Sequence, residues 1–201
     1  PPPPHLSPPP LFFLLIRLPQ RSTPLFSSAA SDVYKSQGNK VLKKLSDKPK
    51  FILARMYFGK PINQDYTMQL DLMGTEEKFQ LPDMGFFVSR YRFDLLGNNE
   101  SARIVAWSPM PRLEKKVKFS WEPKVWYTAK MSVRRSGGKA TIRAKVWKRG
   151  AEEPEGWTQE VVDSTPNLGG APGLYAYSAG STDKKIGGEI FYDNIVVTAN
   201  K

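Results

Sequence analysis

Between Trp121 and Trp147, two runs of alternating apolar and polar residues are joined by Gly137 and Gly138. A two-residue glycine link between alternating runs predicts a β-hairpin, because glycine accepts the positive φ of type I′ and II′ turns. With the glycines as the turn, residue 136 faces residue 139, and a one-residue slip would turn every apolar side chain to the wrong face. The resulting apolar pairs on one face are Val133 with Ile142, Met131 with Ala144, and Ala129 with Val146.

Strand signals recur at short intervals along the rest of the chain after residue 38, with turn residues between them. No segment of ten or more residues has the apolar spacing of an amphipathic helix. The pattern predicts about ten antiparallel strands, which must close into two packed sheets, so we expect an all-β, antiparallel two-sheet jelly-roll sandwich over residues 38–201. Besides the hairpin, strands are predicted at 50–58 (an interior strand), 66–73, 85–96, 101–107, 117–121, 157–162, 173–177 and 189–199, with a second hairpin turn at 97–99.

Residues 1–37 differ in composition from the rest of the chain. They hold 9 of the 18 prolines and show neither strand nor helix periodicity, which predicts a disordered proline-rich tail. A secretory signal is one alternative, but nothing basic precedes the apolar run that begins at Leu11. A polyproline ligand motif in PPPPHLSPPP is another.

The end of this tail supports a third interpretation. The stretch SSAASDVYKSQ, residues 27–37, closely resembles a peptide produced when sequencing-adapter DNA is translated as coding sequence. We therefore expect residues 1–37 to be an artefact without biological function, and the chain to be a fragment.

Composition excludes some classes of protein and some kinds of site. The longest apolar run, residues 11–18, contains Arg17 and is far shorter than the roughly 20 residues that a membrane-spanning helix needs. Cysteine is absent, which removes disulfides, thiolate metal sites and cysteine nucleophiles without fixing the compartment.

The chain is strongly basic, with 30 Lys and Arg against 19 Asp and Glu and a net charge of +11. The tail contributes only Arg17, Arg21 and Lys35 against Asp32, so the excess belongs to the folded part. A basic surface favours anionic partners such as acidic glycans, a phospholipid surface or nucleic acid. Solvated strand faces explain the same charge without a partner, and nucleic-acid binding is the less favoured alternative.

Five segments resemble a known domain family: residues 66–98, 121–133, 144–163, 170–178 and 190–200. In order along the chain they carry the elements W-x4-WY, KVWKRG-x2-EPE-x-W and YDN. Together they are similar to the concanavalin A-like jelly-roll domain found C-terminal to quinoprotein-like β-propellers in bacterial multidomain proteins. The resemblance spans residues 38–200.

The resemblance implies a non-catalytic domain, related in fold to laminin G-like and sugar-binding domains. It also implies a larger extracytoplasmic parent protein, periplasmic or secreted, with a β-propeller as a possible partner. Two features of the family differ here, since a first strand with a DFE-type segment is replaced by the tail and the propeller is missing. We therefore expect an incomplete sheet edge, which invites mispairing.

The residues available for catalysis are few. The sole histidine, His5, lies in the tail, so the domain proper has no Ser-His-Asp or Cys-His triad and few options for zinc, copper or iron. We expect no cofactor and no metal site. Glycoside hydrolysis needs only two spaced acids, but no E-x-D-x-x-E motif is present.

The carboxylates that remain are interpreted as follows. Glu152, Glu153 and Glu155 are expected to be solvated in a loop beside Pro154. Asp71 and Asp94 lie among apolar strand residues without a partner nearby in sequence. Asp193-Asn194 interrupts the last strand, which fits either a bulge with a side-chain-to-backbone bond or a structural calcium site. The glycine pairs at 169–170 and 187–188 lack any phosphate-binding context and are expected to be turns.

The second face of the central hairpin carries the one candidate binding site. There Thr128 faces Trp147, Lys130 faces Lys145, and Ser132 faces Arg143, while Trp126 lies diagonal to Trp147. Like charges in opposite positions pack poorly in a core, so this face should meet solvent or a ligand. Two tryptophans could stack on a sugar ring while the cations bind its hydroxyls or carboxylates. Alternatively, Trp157 or the loop 150–156 covers both indoles and the cations are ordinary surface.

Three functional hypotheses follow. The first is a non-catalytic accessory module that binds carbohydrate or mediates interdomain contact, with ligand contacts at Trp126, Trp147, Arg143 and Lys145. The second is a glycoside-processing enzyme of the same superfamily, similar to a keto-disaccharide hydrolase, which requires two carboxylates about 5 to 10 Å apart on one face. The third is nucleic-acid or polyanion binding, which requires an affinity that falls steeply with salt.

Overall fold

The structure is a computed structural model that describes residues 13–15, 31–36, 39–44, 53–106, 110–178 and 187–200, with side chains from residue 41 onward. These residues form fourteen strands and no helix. In the part described, no helix is present that could cross a bilayer. The predicted fold class is confirmed, because the strands form two antiparallel sheets packed as a jelly-roll sandwich.

The larger sheet has eight strands, in the order β12-β11-β10-β5-β14-β3-β2, with β1 also paired to β14. The smaller sheet has six strands, in the order β4-β13-β6-β7-β8-β9. The strands are β1 (Phe13–Leu15), β2 (Ser31–Ser36), β3 (Asn39–Lys44), β4 (Leu53–Tyr57), β5 (Tyr66–Gly74), β6 (Asp83–Val88), β7 (Tyr91–Leu96), β8 (Ser101–Ala106), β9 (Leu113–Lys118), β10 (Tyr127–Ser136), β11 (Lys139–Lys148), β12 (Gln159–Asp163), β13 (Gly173–Tyr177) and β14 (Ile190–Ala199).

The core lies between the two sheets and is built from alternate residues of each strand. Every second side chain of a strand points to the same face, so the inward set is apolar and almost completely buried. Removing this apolar surface from water is the main favourable term in folding. The largest of these side chains are Tyr66, Met68, Leu70, Leu72, Met84, Phe86, Tyr91, Phe93, Leu95, Ile104, Met131 and Ile142.

The predicted central hairpin is confirmed in its residue pairing. Ser136 faces Lys139, and the pairing continues without a slip to Tyr127 and Lys148. Gly137 and Gly138 have φ of 56° and 74°, as a type I′ turn requires.

Two short segments of residues 1–37 are among the described residues. The backbone of β1 pairs with β14, and that of β2 pairs with β3, at the edge of the larger sheet. The rest of residues 1–30 and residues 37–38 lie outside the described residues. The origin of the tail and the domain boundary at residue 38 therefore stay predictions.

Two strand predictions were wrong in detail. β4 is an edge strand of the six-stranded sheet rather than an interior one, since it pairs only with β13. The predicted single strand over residues 85–96 is two strands, β6 and β7. They are joined at Ser89 and Arg90, whose φ values of 48° and 65° give the same turn geometry as two glycines.

Hydrogen bonds hold that non-glycine turn in place. The Ser89 N–H donates to the Tyr66 hydroxyl at 2.7 Å, and the Arg90 Nε donates to the Gly169 carbonyl at 2.9 Å. These contacts compensate for the unfavourable backbone region, which side chains other than glycine seldom occupy.

The interruption of the last strand is a β-bulge, as one of the two alternatives predicts. The pairing of β14 with β5 shifts between Asp193 and Val196, and Asn194 has φ of 48°. The Asn194 N–H donates to the Asp193 carboxylate at 2.9 Å, and its side-chain amide donates to Asp71 at 2.7 Å.

Candidate functional site

The outer face of the central hairpin has the side-chain pairs that the sequence predicts. Thr128 faces Trp147, Lys130 faces Lys145, and Ser132 faces Arg143. Trp126 immediately precedes β10. Both indoles are half-buried.

The two opposed lysines share one carboxylate. Glu153 accepts from Lys130 Nζ at 2.6 Å and lies 2.7 Å from Lys145 Nζ, which also donates to the Pro154 carbonyl. Lys145 is only 6% exposed, and its ammonium lies 5.0 Å from the ring centroid of Trp157. Burial raises the pKa of Glu153, but the hydrogen bonds from the two lysines outweigh it, and the pKa is lowered overall. Glu153 is exposed in its loop, as the sequence predicts, and it is also the ion-pair partner of both lysines.

The other cations of this face are also paired. Arg143 forms an ion pair with Glu160. The Arg149 guanidinium lies 4.6 Å from the ring centroid of Trp126 and within 3.7 Å of the Asp71 and Asp193 carboxylates. The loop between β11 and β12 thus folds over part of the face and neutralises much of its positive charge.

A second outer face, on the six-stranded sheet, also carries aromatic and charged side chains. The strand registers align its residues in three rows that cross all six strands. The first row is Tyr57, Gly173, Phe87, Arg92, Val105 and Glu114; the second is Arg55, Tyr175, Gly85, Asp94, Arg103 and Lys116; the third is Leu53, Tyr177, Asp83, Leu96, Ser101 and Lys118. We call this set the six-stranded outer face.

A buried carboxylate between two arginines lies at the centre of this face, and we call these three residues the arginine cluster. Arg92 Nε donates to Asp94 Oδ2 at 2.7 Å, and Arg103 donates to both Asp94 oxygens, from Nε at 2.9 Å and from Nη2 at 2.7 Å. The Asp94 side chain is fully buried. Charge-assisted bonds with a bidentate fork are the strong class of hydrogen bond, so this cluster holds both guanidinium planes in fixed positions.

An aromatic cluster, Tyr57, Phe87 and Tyr175, adjoins the arginine cluster. The rings of Tyr57 and Phe87 have centroids 5.3 Å apart, and Phe87 meets Tyr175 edge-on at 6.3 Å. Arg92 Cζ lies 3.9 Å from the centroid of the Tyr175 ring. Of the three rings, that of Tyr57 is the exposed one.

Two features of the backbone shape this face. Gly85 lies between Tyr175 and Asp94 in their row and has no side chain to separate Arg92 from Tyr175. On the inner side, the Tyr192 hydroxyl of the larger sheet accepts from the Gly85 N–H and donates to the Tyr175 carbonyl. The opposite sheet thus fixes the backbone directly beneath the two clusters.

Asp83 is another carboxylate on this face, and its pKa is shifted. Burial raises the pKa of Asp83 from 3.8 to about 6, with a contribution from Asp94. The Gly97 N–H, which donates to Asp83 at 3.0 Å, opposes the shift.

Sequence reasoning missed this face. Asp94 was expected to have no partner nearby in sequence, whereas Arg92 lies two residues before it on the same strand. Alternation of Arg92 and Asp94 with Tyr91, Phe93 and Leu95 is the signal that could have revealed the pair, since residues i and i+2 share a face. The partners of Asp71, in contrast, are distant in sequence: Thr128, Asn194 and Arg149.

Among the described residues, no group of three or more His, Cys, Asp or Glu side chains is arranged to hold a metal ion.

No family model and no curated protein matches this chain. Solved structures of the same fold match it over most of its length. A carbohydrate-binding module, CBM66 from Bacillus subtilis, has a TM-score of 0.56 at 10% identity, over 84% of this chain and 92% of that one. The lectin UEA-II complexed with galactose has a TM-score of 0.54 at 12% identity, over 95% and 93%. Winged bean acidic lectin complexed with methyl-α-D-galactose has a TM-score of 0.54 at 11% identity, over 94% and 92%.

These identities establish a shared fold and no more. This chain has the concanavalin A-like jelly-roll sandwich. The resemblance that the sequence suggests is correct at that level.

Proposed function

We propose that this protein is a non-catalytic carbohydrate-binding domain whose ligand lies on the six-stranded outer face. The observation that carries the proposal is the exposed Tyr57 ring, which packs on Phe87 in the same aromatic cluster whose Tyr175 ring carries the Arg92 guanidinium. An aromatic ring offers a stacking surface for a sugar, and a few fixed polar groups set its orientation. The structures with the same fold are a carbohydrate-binding module and two lectins complexed with sugars, which supports the proposal.

The hairpin face, where the sequence predicts the ligand contacts, is the alternative location of the site. Trp126 and Trp147 are half-exposed beside Arg149, and Arg143 is on the same face with a side-chain exposure of 43%. Lys145 has a supporting role here, because its buried ammonium is already bound to Glu153 and Pro154.

The biological setting is proposed from the family resemblance alone. We place the domain in a larger periplasmic or secreted protein that also contains a β-propeller, where an outer face of the sandwich could mediate interdomain contact.

Affinity electrophoresis in gels that contain galactan, xylan, levan or polygalacturonate tests the proposal. We expect one polysaccharide to retard the protein and Tyr57→Ala to abolish the retardation. Val162→Ala is the matched control, because Val162 is also an exposed residue on an edge strand, but of the other sheet. Retardation that survives Tyr57→Ala but not the double variant Trp126→Ala, Trp147→Ala would move the site to the hairpin face. Absence of retardation by every polysaccharide would contradict the proposal.

One observation favours the glycoside-processing alternative. A general acid at neutral pH needs a raised pKa, and Asp83 has one near 6 on the same face as Asp94. Hydrolysis of aryl glycosides or keto-disaccharides by the full chain, lost in Asp83→Asn, would support an enzyme. Equal traces of hydrolysis in both proteins would assign it to contamination.

A further inference from the structure

We infer that the ligand of the six-stranded outer face is a polysaccharide of uronic acids, recognised through its carboxylate groups. This inference rests on the proposed function and adds the chemical class of the sugar.

The first argument is the charge of the face. Its three rows contain five cationic side chains, Arg55, Arg92, Arg103, Lys116 and Lys118, against three carboxylates, Asp83, Asp94 and Glu114. On the hairpin face, Glu153 serves two lysines, and Arg143 and Arg149 each have acidic partners. On the six-stranded outer face, Arg55 and Lys118 form no ion pair with any described residue. The positive excess that could attract an anion therefore lies on the six-stranded outer face.

The second argument is the hydrogen bonding of the two guanidinium groups. Arg103 uses its fork on Asp94, whereas Arg92 contacts that carboxylate through Nε alone. The terminal nitrogens Nη1 and Nη2 of Arg92 make no hydrogen bond to any described residue. They form the planar pair of donors that binds a carboxylate bidentately.

The third argument is the local balance of charge. Asp94 pairs with Arg92 and Arg103, and Glu114 pairs with Lys116 at 2.8 Å and with Arg103 at 3.8 Å. Three cations therefore share two carboxylates, and one positive charge is in excess. A carboxylate from the ligand would balance it. Removing that charge from water is favourable only when it is paired and hydrogen-bonded.

The fourth argument selects a sugar acid over other anions. The side chains of Arg92 and Arg103 are only 6% and 17% exposed, so a ligand reaches the edge of each group and not its face. A flat carboxylate fits such access better than a tetrahedral phosphate or sulfate. The exposed ring of Tyr57, in the same row as Arg92, can stack on the sugar that carries it.

A comparison of two polymers with one backbone tests the inference in the wild-type protein. The probes are polygalacturonate and the same polymer with its carboxylates fully methyl-esterified, and the readout is affinity by isothermal titration calorimetry. We expect the acid form to bind about tenfold tighter or more, the effect of a charged hydrogen bond. Equal binding to both forms would overturn the inference and leave the proposed function intact. Failure of both forms, together with all neutral polysaccharides, would overturn both.

Two variants locate the effect. Arg92→Met should reduce the affinity for polygalacturonate about tenfold while leaving that for the methyl ester unchanged. Lys139→Met, at the exposed hairpin turn, removes the same charge elsewhere and should change neither. If Arg92→Met does not fold, Arg55→Ala replaces it, since Arg55 is exposed on the same face, and a several-fold loss is expected. Equal losses in the hairpin variant and the outer-face variant would contradict a carboxylate site on this face.

Dextran sulfate and duplex DNA serve as control polyanions. Binding of either as tightly as polygalacturonate, with a steep dependence on salt, would indicate unspecific attraction to the basic surface and overturn the inference.

Discussion

The guanidinium of Arg92 stacks on the ring of Tyr175, with Cζ 3.9 Å from the ring centroid, although a whole strand lies between the two residues. Neighbouring strands are about 4.8 Å apart, so the arginine reaches across β6. It can do so because Gly85, the β6 residue that pairs with Tyr175, has no side chain to block the approach. This contact joins the arginine cluster to the aromatic cluster.

The first prediction concerns the space at Gly85. A Cβ atom at this position would come within 2.2 Å of the Phe93 carbonyl oxygen, a backbone atom that cannot rotate away. We expect Gly85→Ala to lower the free energy of unfolding by about 2 kcal/mol, the usual cost of forcing extra volume into packed structure. Urea denaturation measures it.

Gly156 provides the matched control for that substitution. Nothing lies within 4 Å of a Cβ built there, and its φ is not in the left-handed region. Gly156→Ala should change the stability by less than about 0.5 kcal/mol. A Gly85 variant as stable as the Gly156 variant would contradict the packing described for this face.

The second prediction concerns the buried carboxylate of Asp94. Asp94→Asn keeps the shape but leaves Arg92 without a counter-charge and Arg103 with only the more distant Glu114, so we expect a loss of about 3 kcal/mol. The triple variant Asp94→Leu, Arg92→Met, Arg103→Met removes all three charges and should recover most of that stability. Chemical denaturation of the wild type and the two variants decides it, and a triple variant no more stable than Asp94→Asn would refute the electrostatic explanation.

The difference between the two faces explains how far sequence reasoning could go. The hairpin register was predictable because Gly137-Gly138 marks its turn and each apolar pair checks the alignment. The Ser89-Arg90 turn has no such mark, since its positive φ values depend on hydrogen bonds from distant residues.

Without that turn, β6 and β7 appear as one strand, and the pairing of Gly85 with Asp94 cannot be derived. The burial of Lys145 under the loop between β11 and β12 could not be derived from the sequence either. It depends on Glu153, whose loop conformation leaves no periodic pattern in the sequence.

The third prediction uses the raised pKa of Asp83. Its folded value of about 6 exceeds the unfolded value of 3.8, so the folded state binds the proton more tightly. The associated stability is complete below about pH 3.8 and is lost as the pH rises through 6. Asp83→Asn should therefore be more stable than the wild type at pH 8, on the order of 1 kcal/mol after solvent screening.

The measurement for Asp83 is the difference in thermal midpoint between variant and wild type from pH 3.5 to pH 8. The asparagine retains the oxygen that accepts from the Gly97 N–H, so that bond is not a confounding loss. A difference that stays constant across this range would mean that Asp83 does not titrate as described.

The fourth prediction concerns a buried lysine between the sheets. Lys44 is 3% exposed, burial lowers its pKa, and its Nζ has no hydrogen-bond partner among the described residues. Lys44→Met should raise the free energy of unfolding at pH 7 by about 1–2 kcal/mol, because it removes an unpaired charge from an apolar site.

The stability linked to Lys44 changes with pH in the direction opposite to that linked to Asp83. The unfolded state holds the lysine proton more tightly, so wild-type stability rises with pH toward 10.5, and the advantage of Lys44→Met should shrink. Urea denaturation at pH 7 and pH 10 gives both values, with the exposed Lys139→Met as control. A Met variant less stable than the wild type at pH 7 would show that the ammonium has a partner.

The most direct test of the central claim is an NMR titration of the isotope-labelled full chain with a galacturonate oligosaccharide. We predict that amide and aromatic signals of Tyr57, Phe87, Arg92 and Tyr175 shift with a common saturation curve, while those of Trp126 and Trp147 move little. No shift at millimolar sugar would contradict a uronic-acid site on the six-stranded outer face, and shifts confined to the hairpin face would contradict a carbohydrate site there altogether.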